Sequence, residues 1–292
     1  MRSSMTMASD RVTAADTGTR LLELEITHRC QLTCTHCLTT SSPQAGHGTM
    51  TLRDWESVVS QAARLGIPMI QLIGGEPLTS PFLVPLLGYA VGLGRKVEVY
   101  SNLYKVPDAV WHHLSHPLVS LATSYYSDFA AEHDTVTHVT GSHARTRANI
   151  IKALELGISV RAGIVEILDG QRTGQARAEL EALGVTNIKT DRMRAVGRAA
   201  TGPGDPDVAE LCGRCGLGRA AVLADGTLAP CVLGRFLKVG NVKASPLGSL
   251  LTGAAWQAAV QLIPRDGSGP SCEPDGSDCN PASTIACSPA FD

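Results

Sequence analysis

The sequence predicts an α/β fold: a parallel sheet wound from six strand–helix units, with a small cysteine-rich C-terminal extension. Three observations lead there. Short apolar runs alternate with helical patterns from Leu21 to Asp191. Three cysteines, Cys30, Cys34 and Cys37, stand together directly after the first run. Composition changes after Arg198, and the other six of the nine cysteines fall between Cys212 and the end.

The elements follow in order. Leu21 to Thr27 alternates apolar and polar residues and reads as a strand. A loop rich in breakers carries the three cysteines to about Gly48. Thr51 and Asp54 form a capping-box pattern, and Leu52, Trp55, Val58, Val59, Ala62 and Leu65 make one apolar helical face that Gly66 ends. Strands are then expected at 67–73, 96–101, 118–124, 158–167 and 185–191, and helices at 81–93, 107–114, 142–156 and 171–183. Ser142 is the expected cap of its helix and Gly157 its stop. Alternation of this kind implies parallel βαβ units, and six are too few to close an eight-stranded barrel.

The chain has 292 residues and a net charge of −2, enough for one large domain or one large and one small. Nothing in its charge points to nucleic acid or a membrane surface. Residues 1–20 are polar and read as a disordered leader, and no run is long and apolar enough for a secretory signal or a membrane span. Nine cysteines without a signal peptide argue for metal ligands in a reducing compartment, hence the cytoplasm. The expected division is a leader at 1–20, a main domain at 21–198, a Gly- and Pro-rich linker at 199–211 and a cysteine-rich domain at 212–292.

Cys30-x3-Cys34-x2-Cys37 can turn three thiolates toward one point. Soft thiolates suit iron–sulfur clusters, zinc or copper(I). A [4Fe–4S] cluster normally takes four protein ligands, so a loop with three leaves one iron open. The alternative is a zinc knuckle completed by His28, His36 or His47. A second set follows the linker. Cys212-x2-Cys215 precedes Asp225-Gly226, a hairpin signal that folds Cys231 back toward Cys215. Cys272, Cys279 and Cys287 lie in a tail too poor in apolar residues to build a core, where ligation is the expected source of order. A structural zinc ribbon is the alternative for this set. His112, His113 and His116 read as a solvated helix end.

Cys30-x3-Cys34-x2-Cys37 after the first strand, with Gly74-Gly75-Glu76-Pro77 after the second, resembles the radical S-adenosylmethionine (SAM) superfamily. The resemblance implies a partial (β/α)6 TIM-like barrel. It also implies a [4Fe–4S] cluster whose open iron binds SAM, and reductive cleavage of SAM to a 5′-deoxyadenosyl radical that abstracts hydrogen from substrate. It places Gly74, Gly75 and Glu76 at the ammonium of SAM, and Ser101, Asn102 and Ser124 at its carboxylate or ribose. It places Glu166 and the residues from Arg192 to Val196, Arg194 among them, near the adenine. At His36 it implies a role for the backbone rather than the ring.

Cys215-x10-Gly226-x4-Cys231, with Arg194-Ala-Val-Gly-Arg-Ala upstream, resembles the SPASM and twitch extensions of that superfamily. This implies at least one auxiliary [4Fe–4S] cluster, here expected on Cys212, Cys215, Cys231 and one of the tail cysteines. The tail spacing departs from the full SPASM pattern. An unligated Cys272, Cys279 or Cys287 would be a hydrogen-atom donor, and Tyr125 and Tyr126 are alternative redox-active or pocket residues. The substrate so implied is a ribosomally made peptide, matured by crosslinking, thioether formation, epimerisation or oxidation. Epimerisation or dehydrogenation of a sugar or aminocyclitol is the alternative, and a zinc-stabilised scaffold without activity the remote one. About twenty residues precede the first strand, fewer than a peptide-recognition domain needs. The expected partners are therefore a small substrate or a peptide presented by a separate recognition protein, and an electron donor such as flavodoxin or ferredoxin.

Overall fold

The computed structural model describes residues 17–265. Residues 1–16 of the expected leader, and Cys272, Cys279 and Cys287, lie outside the described residues. Six strands form where the alternation placed them: β1 Leu21–Glu25, β2 Met69–Ile73, β3 Lys96–Tyr100, β4 Val119–Ser124, β5 Val160–Glu166 and β6 Asn187–Arg192. Each pairs in parallel with the next. The intervening helices are α1 Leu52–Arg64, α2 Leu83–Gly92, α3 Asp108–Leu114, α4 Ala130–Thr137, α5 Ser142–Glu155 and α6 Thr173–Leu183.

The first helix shows how local sequence sets an element. The Thr51 backbone N–H donates to Asp54 Oδ2 at 2.8 Å, and the Asp54 N–H returns a bond to Thr51 Oγ1 at 3.2 Å. Two orphan donors at the helix start are thereby satisfied. Trp55, Val58, Val59 and Ala62 then bury their shared face in the main core, which fills the space between helices and sheet.

The start of α5 differs from expectation. Ser142 is its first residue, and the cap position is Gly141 at φ +81°. The capping work falls to Asp134 on α4, a helix the sequence pattern does not announce. Its carboxylate accepts from the N–H groups of Gly141 at 2.6 Å and His143 at 2.9 Å, and from Ser142 Oγ at 2.8 Å. These contacts hold Asp134 below the usual carboxylate range, although burial opposes them.

After β6 the chain crosses back to the far side of β1. There β7, Arg219–Val222, pairs with β1 in parallel. The Asp225-Gly226 hairpin forms, and β8 (Thr227–Ala229) and β9 (Gly240–Asn241) continue the sheet antiparallel. The order is β6-β5-β4-β3-β2-β1-β7-β8-β9, an open curve with β6 and β9 at its edges. The barrel is partial. The sheet runs on without a break into the segment expected as a separate cysteine-rich domain. Two further helices, α7 Leu247–Thr252 and α8 Ala254–Gln261, end the described chain, and the Leu247 N–H ties α7 to Gln61 of α1 at 2.8 Å. No helix among the described residues is long and apolar enough to cross a membrane.

Candidate active site

The carboxyl ends of the parallel strands open into a cavity of about 380 Å³. Ligands gather at this end in α/β sheets and barrels. Cys30, Cys34 and Cys37 all line it, and so do Gly74 and Gly75. The loop after β1 therefore presents its three thiols to one space.

The loop is fixed from several sides. Gly75 N–H donates to Thr27 O at 2.7 Å, and Glu76 N–H to Arg29 O at 2.8 Å. Both glycines are dictated by this approach: a Cβ on Gly74 would lie 2.4 Å from Thr27 O, and one on Gly75 2.5 Å from Arg29 O. Cys30 Sγ accepts from Leu32 N–H at 3.4 Å and from Asn102 Nδ2 at 3.5 Å, and Cys37 Sγ accepts from Ser41 N–H at 3.3 Å. Burial first, and neighbouring negative charge second, pushes the Cys30 and Cys34 thiols up to about 12. Cationic iron held by Cys30, Cys34 and Cys37 would offset that penalty by stabilising their thiolates.

The donor set fits the superfamily's cluster. Three soft thiols face a common cavity, and two of them receive N–H donors of the kind that stabilise cluster sulfurs. Each histidine of the zinc alternative has one ring nitrogen placed beside another side chain. His28 Nδ1 lies 2.8 Å from Glu25 Oε1, His47 Nδ1 2.8 Å from Thr27 Oγ1, and His36 Nε2 3.3 Å from Tyr126 OH. Among the described residues no three His, Cys, Asp or Glu side chains enclose a single metal ion.

The structure separates the remaining expected residues. Asn102, Ser124 and Arg194 line the cavity, whereas Glu76, Ser101 and Glu166 do not. Glu76 is fully buried and binds protein groups: Ser101 Oγ at 2.8 Å, Asn102 N–H at 2.8 Å and Leu78 N–H at 2.9 Å. Its carboxylate is thus a strut between the loops after β2 and β3, and burial outweighs these donors to raise it to about 7. Glu166 ends β5 with its side chain exposed, and its carbonyl accepts the Met193 N–H at 2.8 Å.

Tyr125 turns away from the cavity. It is completely buried, with its hydroxyl 2.8 Å from His143 Nε2 and donating to Glu179 Oε2 at 2.6 Å. Tyr126 takes the cavity side, edge-on to His36 with ring centroids 5.1 Å apart. His36 also faces the cavity, so its ring as well as its backbone belongs to the site. Burial, assisted by Arg198, pushes His36 down to about 4 and keeps it neutral near pH 7. His112 and His113 sit in the last turn of α3, at an exposed helix end as expected.

Sequence reasoning missed the charged floor. Arg161 on β5 donates twice to Glu98 at 2.8 Å, and Gln71 Nε2 donates to the same carboxylate at 2.6 Å. Arg219 on β7 faces Glu23 on β1 at 3.9 Å, and Lys189 on β6 also lines the cavity. The signal was available as charged residues alternating with apolar ones along β1, β3 and β5. The second cysteine set is divided. Cys215 and Cys231 form a disulfide, with Cα atoms 5.1 Å apart, and Cys212 is free and lines the same cavity as the first set. A sulfur held in a disulfide is not available to iron, so an auxiliary cluster on this set requires its reduction.

A sequence profile of the radical SAM superfamily matches residues 24–176, slightly more than half of the chain. The protein belongs to the radical SAM superfamily. Curated relatives match over shorter stretches. An AdoMet-dependent heme synthase of Methanosarcina barkeri is 30% identical over 132 residues, 45% of this chain and 38% of the relative. A PqqA peptide cyclase of Gluconobacter oxydans is 37% identical over 79 residues, 27% of this chain and 21% of the cyclase. The radical SAM chain thus matches well under half the length of either relative. SuiB of Streptococcus suis, in a crystal structure bound to S-adenosylmethionine, shares the fold with a TM-score of 0.67 at 15% identity. That match covers 81% of this radical SAM chain and 66% of SuiB.

Proposed function

We propose that this radical SAM protein modifies a ribosomally made peptide, using a [4Fe–4S] cluster on Cys30, Cys34 and Cys37 with SAM on its open iron. The observation that carries the reading is three free thiols at the rim of a cavity whose β6 side ends in an unclosed sheet edge. An open side admits an extended chain, and identity with PqqA peptide cyclases over 79 residues supports a peptide as that chain. When bound, the cluster and SAM supply one-electron cleavage that produces a hydrogen-abstracting carbon radical. The protein's own residues hold and exclude. Gly74 and Gly75 admit close backbone approach for the SAM ammonium, and Asn102 and Ser124 offer polar contacts to its carboxylate and ribose. Arg194, fixed to Asp191 at 2.7 Å and to Glu210 O at 2.8 Å, faces the adenine side.

The reading includes a twitch- or SPASM-like auxiliary cluster on Cys212, Cys215, Cys231 and one tail cysteine, formed after reduction of the disulfide. It further includes a flavodoxin- or ferredoxin-type electron donor, a separate peptide-recognition protein and a cytoplasmic location. The test incubates the anaerobically reconstituted, reduced protein with SAM and a short peptide encoded beside its gene. The expected result is 5′-deoxyadenosine together with a changed peptide mass or an inverted residue. Formation of 5′-deoxyadenosine with an unaltered peptide, and turnover of an aminocyclitol instead, would replace the peptide reading by the small-substrate one.

A further inference from the structure

The segment leaving β6 returns along the outer side of the cysteine loop. Gly197 has φ +63° and stands so near that a Cβ would lie 2.4 Å from Leu38 O and 2.5 Å from Cys37 O. Both are backbone atoms, so the approach is fixed and only glycine permits it. Arg198 follows within a short turn, Gly197–Ala199. Its N–H donates to Cys37 O at 2.9 Å, and its guanidinium donates to the carbonyl oxygens of Cys34 and Ser41. One residue thus binds three carbonyls of a loop that carries three thiols.

The upstream end of this segment is equally tied. Arg194 is 5% exposed and held by Asp191 and Glu210 O, and Val196 is 1% exposed. The clamp therefore stands on a fixed base. Charge-assisted bonds from a planar fork set direction as well as distance. We infer that Arg198 is a positioning residue for the cluster: it holds the cysteine loop in its ligating shape and sets a fixed positive charge beside the Cys34 ligand. Arg29, the arginine within the loop itself, is exposed.

Two consequences follow from chemistry alone. Loss of the fork frees two loop carbonyls, those of Cys34 and Ser41, and lets the thiols separate, so iron leaves faster. Loss of the cation destabilises the more negative, reduced cluster, so the potential falls. The inference rests on the superfamily's cluster and not on the peptide substrate, so a failed peptide assay leaves it standing.

The experiment compares the full-length, reconstituted protein with Arg198→Met, Arg198→Lys and Gly197→Ala. The cluster on the three-cysteine loop is identified by the change its reduced EPR spectrum undergoes when SAM is added. Two quantities are read: the rate of iron transfer from it to a chelator, and its midpoint potential. Arg198→Met is expected to release iron about tenfold faster, within the usual range for outer-shell partners of metal ligands, and to shift to a more negative potential. Arg198→Lys keeps the charge and loses the fork, so its potential stays near wild type while release is still accelerated. Gly197→Ala pushes the loop away with the charge retained and also accelerates release. Wild-type release and potential in Arg198→Met would overturn the inference. If that variant does not fold by circular dichroism, wild-type release in both Arg198→Lys and Gly197→Ala would do the same.

Discussion

Among the described residues the cysteines fall into two sets of three, and the chain treats them differently. Cys30, Cys34 and Cys37 remain separate thiols on a loop pinned by Gly74, Gly75 and Arg198. Cys215 and Cys231 meet sulfur to sulfur, and Cys212, the third described cysteine of that set, is free. The difference is one of backbone rather than of residue type. Spacings of three and two around an extended loop spread thiols along a wall. A tight hairpin between β7 and β8 returns Cys231 to within 5.1 Å of Cys215, inside the normal Cα range for a disulfide.

The largest test of this contrast removes thiols one at a time. Alanine at Cys30, Cys34 or Cys37 is expected to reduce SAM cleavage to background and abolish the SAM-responsive EPR signal. Alanine at Cys231 should leave SAM cleavage within about tenfold of wild type, a change of about 1.4 kcal/mol in barrier. Equal losses in both sets would erase the contrast.

Thiol labelling sharpens it. With the metal-free protein and no reductant, a small alkylating agent should label Cys37 and Cys212 readily, Cys30 and Cys34 slowly because burial holds their thiols protonated, and Cys215 and Cys231 not at all. A mild reductant should add those two. If Cys215 and Cys231 are labelled without reductant and become protected when iron is supplied, the second set is a metal site like the first.

A smaller effect comes from Glu76, part of the frame that keeps the first set open. Burial raises its carboxyl to about 7, against donors from Leu78, Asn102 and Ser101. The folded protein then holds this proton more tightly than the unfolded chain, whose ordinary value is 4.5. The stability so gained is complete below pH 4.5 and is lost as pH rises through 7. Denaturant unfolding of the metal-free protein should show a loss on the order of 3 kcal/mol between pH 5 and 8, absent from Glu76→Gln. Parallel pH profiles for the two proteins would remove this role from Glu76.

The frame of the fold was legible because its signals are local. Alternation gave β1 to β6, Thr51 and Asp54 gave the start of α1, and Asp225-Gly226 gave the hairpin. The three-cysteine loop was legible for the same reason. α4 was not, since the residues it buries are His133, Val136 and Thr137, a face with little apolar contrast. Pairing of β7 with β1 joins residues nearly two hundred positions apart, and no local pattern encodes it. Placement of site residues is illegible where only parity or depth decides. Ser124 and Tyr126 share the cavity side, and Tyr125 between them points into the helical layer. Glu76 looks like a ligand-binding carboxylate in sequence and becomes a strut because three donors close around it. Arg198 was read only as part of a motif, because its partners are carbonyls far back in the chain.

That last separation bears on the order in which the protein is made. Cys37 leaves the ribosome about 160 residues before Arg198, and synthesis proceeds at roughly 5–20 residues per second. For some ten to thirty seconds the nascent chain carries its three thiols on an unclamped loop. The strand that flanks β1 on its other side, β7, arrives later still. A cluster set on that loop before Arg198 emerges would lack its clamp.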